Sequence, residues 1–157
     1  MRGKRMNRLV LIVFAAVVGL TVANHGWAEE KTYVGSETCK DCHEQQYDNF
    51  MKYSKKAHSF DNIKKMETKL TAEEYQTCFE CHTTGHKQKG GFISEAKTPE
   101  VKNPGCEACH GPGSLHAESE DPEQIIGQLT MENCLGCHSE DRVQAFDFKP
   151  LIYGGAH

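Results

Sequence analysis

The sequence predicts a mostly α-helical protein with extensive coil, because it contains local helix-start signals and almost no strand pattern. The segment Thr71–Glu74 has the order of a capping box, which opens a helix. No segment shows a convincing alternation of apolar and polar residues of the kind that marks a β-strand. The start signals predict three helices: from Ser36 to about Lys56, from Thr71 to near His82, and from Thr130 to near His138.

Proline and glycine limit the remaining helical structure. Pairs of these residues at Pro104-Gly105 and Gly111-Pro112-Gly113 flank residues 106–110, so a helix there should have only one or two turns. Residues 83–105 are rich in Lys, Gly and Pro and have little helical period, which predicts a loop. A short extended piece around Phe92-Ile93 is compatible with that loop.

The first 28 residues predict a cleaved secretory signal, followed by one domain over residues 29–157. Residues 1–8 carry four basic side chains and no acid, residues 9–23 are almost entirely apolar, and Gly26-Trp27-Ala28 offers a cleavage site. The apolar run has fifteen residues, fewer than the roughly 20 that cross a bilayer, which disfavours an uncleaved anchor. We therefore expect an exported protein, periplasmic or extracellular.

Composition limits how residues 29–157 can form an interior. This part has 14 basic and 22 acidic residues, a net charge of −8, so a nucleic-acid-binding role is not expected. Its Ile, Leu, Val and Phe number 19 of 129 residues, below the roughly 20% under which a charged chain is expected to be disordered. Either this segment is disordered or a group other than side chains fills its interior.

All eight cysteines belong to one repeated motif, C-x-x-C-H, which is the attachment signal of c-type haem. Two thiols on one helical turn bond to the porphyrin, and the adjacent histidine becomes an axial ligand of the iron. We therefore predict four haem c groups. The motifs are Cys39/Cys42/His43, Cys78/Cys81/His82, Cys106/Cys109/His110 and Cys134/Cys137/His138.

Zinc ribbons and a four-disulfide framework are the alternatives for eight cysteines. Neither explains why a histidine follows every second cysteine. Four further histidines remain after residue 28, one for each predicted iron, and this match favours iron with two histidine ligands. They are His58, His86, His116 and His157.

Several segments resemble the tetrahaem cytochrome c-554 family over roughly residues 33–140. The segments are Gly35–His43, Ala57-His58-Ser59, Cys81–Gly85 and Gly105–His116. The resemblance implies a small multihaem cytochrome c fold wrapped around four stacked haems, with electrons passing from haem to haem and then to a partner. It also implies that His116 ligates haem 1 opposite His43, and that His58 ligates haem 3 opposite His110.

The other two distal ligands are less determined. His86 follows His82 by only four residues, so it lies on the same side of haem 2 as His82 and is expected on haem 4 instead. His157 is left for haem 2 or for no haem. The best-known relative leaves haem 2 without a distal histidine, which keeps an open iron as an alternative.

These expectations predict a low-potential electron carrier, because two histidines saturate the iron and methionine ligation would raise its potential. The expected partners are redox proteins with basic docking faces, and membranes would be approached only through donor or acceptor complexes. Two alternatives stay open. One is a small nitrogen-oxide or hydroxylamine reductase at an open haem 2. The other is a subunit of an extracellular cytochrome filament, which self-associates when the C-terminal His157 ligates a haem of a neighbouring copy.

Overall fold

The computed structural model describes residues 29–139, and its regular elements are all helical. No strand occurs in this range, and between residues 29 and 139 no helix is long and apolar enough to cross a membrane. The α-helices are α1 Ser36–Lys40, α2 Glu44–Tyr53, α3 Phe60–Lys64, α4 Ala72–Thr77, α5 Phe79–His82, α6 Glu107–His110, α7 Ser114–Ser119 and α8 Met131–Leu135. Short 3-10 helices span Lys55–His58, Glu67–Lys69, Pro99–Val101 and Pro122–Gln124. The prediction of a mostly α-helical chain with extensive coil is confirmed.

The second predicted helix begins and ends where the sequence indicates. Thr71 Oγ1 accepts a hydrogen bond from the Glu74 backbone N–H at 3.2 Å, and Glu74 Oε2 accepts one from the Thr71 N–H at 2.9 Å. This reciprocal pair satisfies two N–H groups that a helix start otherwise leaves without partners. The helix is divided at Cys78 into α4 and α5 and ends at His82.

The first predicted helix begins at Ser36, but Ser36 does not cap it, and the prediction of one continuous helix is wrong. Gly35, with φ of +86°, precedes α1, and the Ser36 hydroxyl accepts from the backbone N–H of Cys106 at 3.0 Å instead of capping its own helix. A turn at residues 41–43 separates α1 from α2, which ends at Tyr53. The Ser36 side chain is thus used to join two distant parts of the chain.

The third predicted helix begins as expected but is shorter. Asn133 Oδ1 accepts from the backbone N–H of Thr130 at 2.8 Å, and α8 then ends at Leu135, three residues before His138. The prediction of a short helix within residues 106–110 is confirmed by α6.

Residues 83–105 form coil with one 3-10 turn, as predicted, but Phe92-Ile93 is not part of a strand. The backbone N–H of Phe92 donates to Thr84 O at 2.9 Å, and the Thr84 N–H donates to Val101 O at 3.0 Å. Gly85 allows the turn between them, since its φ is +65° and a Cβ there would lie 2.5 Å from the Tyr33 ring. Isolated backbone hydrogen bonds of this kind hold the loop, and residues 83–105 form no β-ladder.

The buried side chains form one small aromatic cluster around α3, α4 and α5. Its buried members are Phe60, Ile63, Tyr75, Phe79, Phe92 and Val101. The ring centroids of Phe79 and Phe92 are 5.1 Å apart with an edge-to-face angle of 80°, a favourable aromatic geometry. By contrast, Met131 and Leu135 on α8 are 53% and 46% exposed. The main buried apolar cluster of the described residues therefore surrounds the second C-x-x-C-H motif, while Phe50, Ala57 and Cys134 are buried outside it.

Candidate haem-binding site

The four C-x-x-C-H segments adopt the same backbone turn. In each, the histidine N–H donates to the carbonyl of the first cysteine, four residues earlier, and the second cysteine N–H donates to that same carbonyl at 3.1–3.4 Å. The distances for the histidines are 2.9 Å at His43, 3.0 Å at His82, 3.0 Å at His110 and 2.9 Å at His138. Because residues three apart lie on one face of such a turn, both thiols of each pair point to the same side.

All eight cysteines lie within the described range and none is in a disulfide. Where a thiol contacts a backbone carbonyl, the contact is long: 4.0 Å from Cys78 Sγ to Glu74 O and 3.8 Å from Cys134 Sγ to Thr130 O. The disulfide alternative therefore finds no support in the structure. No cluster of three or more His, Cys, Asp or Glu side chains suited to a bare metal ion occurs in residues 29–139, so zinc ribbons find none either.

Contacts between the motifs bring them together in space. The Cys39 and Cys106 thiols lie close enough to affect each other's ionisation, which raises the pKa of Cys39 and lowers the pKa of Cys106 to about 6. Cys137 Sγ lies 3.9 Å from the carbonyl of Glu80 in α5, so the fourth motif adjoins the second. The charge of Lys56 acts on His138, whose pKa is lowered first by burial and then by that charge.

Four histidines share the same arrangement of the ring nitrogen Nδ1. In each, Nδ1 lies within hydrogen-bond distance of an oxygen from another part of the chain, and ligating histidines characteristically donate their second ring N–H in this way. The partners are Ser59 Oγ for His82 at 2.6 Å, Phe92 O for His86 at 3.1 Å, Ile126 O for His110 at 2.6 Å and Asp121 O for His116 at 2.9 Å.

The rings of His43 and His116 face each other with centroids 6.3 Å apart and an interplanar angle of 22°. An imidazole nitrogen binds a metal at about 2.0–2.1 Å, and a ring centroid lies roughly 1.1 Å behind it, so two rings on one metal ion have centroids about 6.3 Å apart. The structure thus brings together the two residues that the resemblance assigns to haem 1.

His86 carries a buried nitrogen that has no partner. Its Nε2 is inaccessible to solvent and makes no hydrogen bond, while its ring packs edge-to-face on Phe79 at 5.3 Å. A buried polar atom without a partner costs about 1–3 kcal/mol, which a bound metal would offset. This is the arrangement expected of a ligand, although the structure does not show which iron His86 would bind.

His58 is placed differently from the four histidines whose Nδ1 contacts an oxygen. It is exposed at the end of the 3-10 helix Lys55–His58, and its Nε2 lies 3.3 Å from the carbonyl of Met51. In this position Nε2 is already occupied, so ligation of haem 3 requires the side chain to turn. His157 lies outside the described residues, as do residues 1–28.

Glu107, which sequence reasoning missed, is the most deeply buried charged residue in the described range, at 2% exposure. It lies between the two cysteines of the third motif, and its carboxylate accepts from the backbone N–H groups of Val34, Gly35 and Gly113 at 2.7–3.2 Å. These bonds connect the segment before the first motif to the start of α6, and they connect the start of α6 to the loop that follows it. No local pattern predicts them, because Val34 and Gly35 are 73 and 72 residues away.

The residues present fit haem c. None of the paired thiols is in a disulfide, and the Nδ1 atoms of four histidines contact oxygens. The buried Nε2 of His86 lacks a partner, and apolar side chains on α8 are exposed beside the fourth motif. A porphyrin edge is a suitable partner for such exposed apolar surface.

Two comparisons with known proteins agree with this geometry. Residues 38–111 match the family model of cytochrome c554 and c-prime, which includes the first three motifs. Cytochrome c-554 of Nitrosomonas europaea is 33% identical in an alignment of 145 positions that covers 83% of this chain. This chain belongs to the cytochrome c-554 family.

Members of this family are c-type cytochromes, electron-transport proteins that contain haem iron. The chain spans 61% of the length of the Nitrosomonas cytochrome c-554. No solved structure matches the chain.

Proposed function

We propose that this protein is an exported, low-potential electron carrier that holds four haem c groups, mostly between two histidines each. The observation that carries the proposal is the repeated turn of the four motifs. In each, the same two backbone hydrogen bonds join the second cysteine and the histidine to the first cysteine. Family membership gives the haem c chemistry, and the repetition supports a count of four.

In this proposal the corresponding residues of each motif have the same roles. The two cysteines form thioether bonds to the porphyrin, and the histidine of the motif binds the iron. The residues that would form these bonds are Cys39, Cys42, Cys78, Cys81, Cys106, Cys109, Cys134 and Cys137, with His43, His82, His110 and His138. Haem iron supplies a one-electron redox centre when it is bound.

The second axial ligands are proposed with different support. His116 opposite His43 is supported by the facing rings, and His86 by its buried Nε2. His58 on haem 3 is supported by the resemblance alone. Two-histidine ligation leaves no site for substrate, which suits electron transfer and keeps the potential low.

Electrons would pass between haems because the motifs adjoin one another. The bond from the Cys106 N–H to Ser36 Oγ joins the third motif to the helix of the first, and the contact of Cys137 with Glu80 O joins the fourth and second. We also propose partners with basic docking faces, since residues 29–157 carry a net charge of −8. The association rate should then fall steeply as salt is added.

The mass and spectrum of the purified protein test this function. We expect a chain that begins at Glu29, carries the mass of four haems, shows a Soret band and gives low-spin signals in the oxidised state. A colourless protein with the mass of the bare polypeptide contradicts the proposal, and a mass of three haems or fewer contradicts the count.

The two alternatives have separate tests. Binding of carbon monoxide to the reduced protein, together with a high-spin signal, would favour the reductase with an open haem 2. The filament depends on His157, so His157→Ala should abolish polymers while the isolated protein stays folded. Purified protein that never forms polymers contradicts the filament.

A further inference from the structure

The partner of His82 differs in kind from those of the other anchored histidines. His86, His110 and His116 each place Nδ1 against a backbone carbonyl, whereas His82 places it 2.6 Å from the hydroxyl of Ser59. A backbone carbonyl is present whatever the side chain, but a hydroxyl depends on the residue type. Of these four ligand candidates, His82 is therefore the one whose hydrogen bond a single substitution removes.

We propose that Ser59 is a positioning residue for haem 2: it holds the His82 ring and sets how strongly that ring donates electrons to the iron. The inference rests on the proposed function, which places a haem at the second motif. When Nε2 binds iron, Nδ1 keeps its proton and donates it to Ser59 Oγ. Donation from Nδ1–H makes the imidazole a more basic ligand. A more basic ligand favours the oxidised iron, so this bond lowers the potential of haem 2.

The surrounding structure fixes the position of the Ser59 hydroxyl. The Ser59 backbone N–H donates to Lys56 O at 3.0 Å, and the next N–H, that of Phe60, donates to Asn103 Oδ1 at 2.9 Å. Phe60 is only 3% exposed and belongs to the aromatic cluster. Ser59 is thus held on both sides, so its hydroxyl is directed at His82 by packing that does not itself depend on the hydroxyl.

The position of Ser59 also explains why the effect should be confined to one haem. Ser59 lies 23 residues before His82, and the contact joins the start of α3 to the end of α5. The preceding residue, His58, is the proposed distal ligand of haem 3. A change in the hydroxyl alone should alter haem 2, whereas a disturbance of the backbone should also alter haem 3.

The test is potentiometric titration of the haem-loaded protein with Ser59→Ala, with each haem followed by its optical and magnetic-resonance signals. We expect one of four titration steps to move to higher potential. At a fixed poise, the reduced-to-oxidised ratio of that haem should rise about tenfold, or about 59 mV for a one-electron couple. The matched pair Ser59→Thr and Ser59→Val separates hydroxyl from shape: Thr should restore the original potential and Val should not.

Ser94→Ala is the control, because Ser94 is also partly buried but its hydroxyl accepts from the Lys97 N–H at 3.3 Å, away from the motifs. It should leave all four steps unmoved. Four unmoved steps in a four-haem Ser59→Ala protein overturn the role of Ser59, as do equal potentials for Thr and Val. A shift at two haems, or loss of a low-spin signal, also overturns it in favour of backbone disruption. A wild-type protein without haem at the second motif instead refutes the proposed function itself.

Discussion

Replacement of Glu107 should destabilise the fold more than any surface change, because its carboxylate accepts from two buried backbone N–H groups and one that is partly buried. Gly35 donates to Oε2 at 2.7 Å and Gly113 donates to Oε1 at 2.8 Å, while Val34 approaches both oxygens. In Glu107→Gln one oxygen becomes an NH₂ group, so at least one of these donors faces another donor.

The magnitude follows from the hydrogen bonds that are lost. A buried donor left without a partner costs about 1–3 kcal/mol, and bonds to charged groups lie at the upper end. We therefore expect Glu107→Gln to lower the free energy of unfolding by about 2–3 kcal/mol. Glu107→Ala, which leaves all three donors unpaired, should lower it by about 4–5 kcal/mol, near the upper limit for single substitutions.

Guanidinium unfolding of the haem-loaded protein, followed by far-ultraviolet circular dichroism, measures both effects. Glu118→Gln is the matched control, since Glu118 is exposed on α7 and its change should cost less than about 0.5 kcal/mol. If Glu107→Gln unfolds within about 0.5 kcal/mol of the wild type, the three bonds do not hold the N-terminal segment and the reasoning fails.

Three further predictions concern single side chains. His86→Ala should convert one haem of the oxidised protein to high spin, because the buried Nε2 is lost; magnetic resonance that shows only low-spin iron would contradict its role as a ligand. His116→Met should raise the potential of one haem, because methionine ligation raises it; an unchanged titration would exclude His116 as a ligand. The Tyr47 pKa is raised to about 12, mainly by its hydrogen bond to Glu37. The folded state thus favours the neutral phenol of Tyr47. The stabilisation that its hydrogen bond provides is present below pH 10 and is lost as the pH rises through about 12. The ultraviolet difference between wild type and Tyr47→Phe should titrate near 12, and a midpoint near 10 would refute the assigned bond.

Local signals predicted the parts of the fold that local bonds create. The reciprocal bonds between Thr71 and Glu74 span three residues, so their residue types are enough to locate the start of α4. Each C-x-x-C-H motif is likewise a single turn, and its geometry follows from five consecutive residues. The sequence also indicated a sparse apolar interior, and the described buried cluster is indeed small.

Contacts between distant segments were not predictable in this way. Ser36 has the residue type of a helix cap, yet its hydroxyl accepts from the Cys106 N–H, 70 residues away, and does not cap α1. Ser59 and Glu107 were missed for the same reason, since their partners lie 23 and up to 73 residues away. A serine or glutamate in a single sequence carries no sign of such a partner.

The contact between the Cys39 and Cys106 thiols bears on the biogenesis of the molecule. A thiol whose pKa is lowered, as that of Cys106 is, reacts readily with oxidants. Because these cysteines belong to different motifs, an erroneous crosslink between them would block two attachment positions at once. In an oxidising compartment, which we propose as the destination of this protein, attachment of the porphyrin would compete with this crosslink. A reductant that reaches the new polypeptide before the crosslink forms would keep both thiols available for haem attachment.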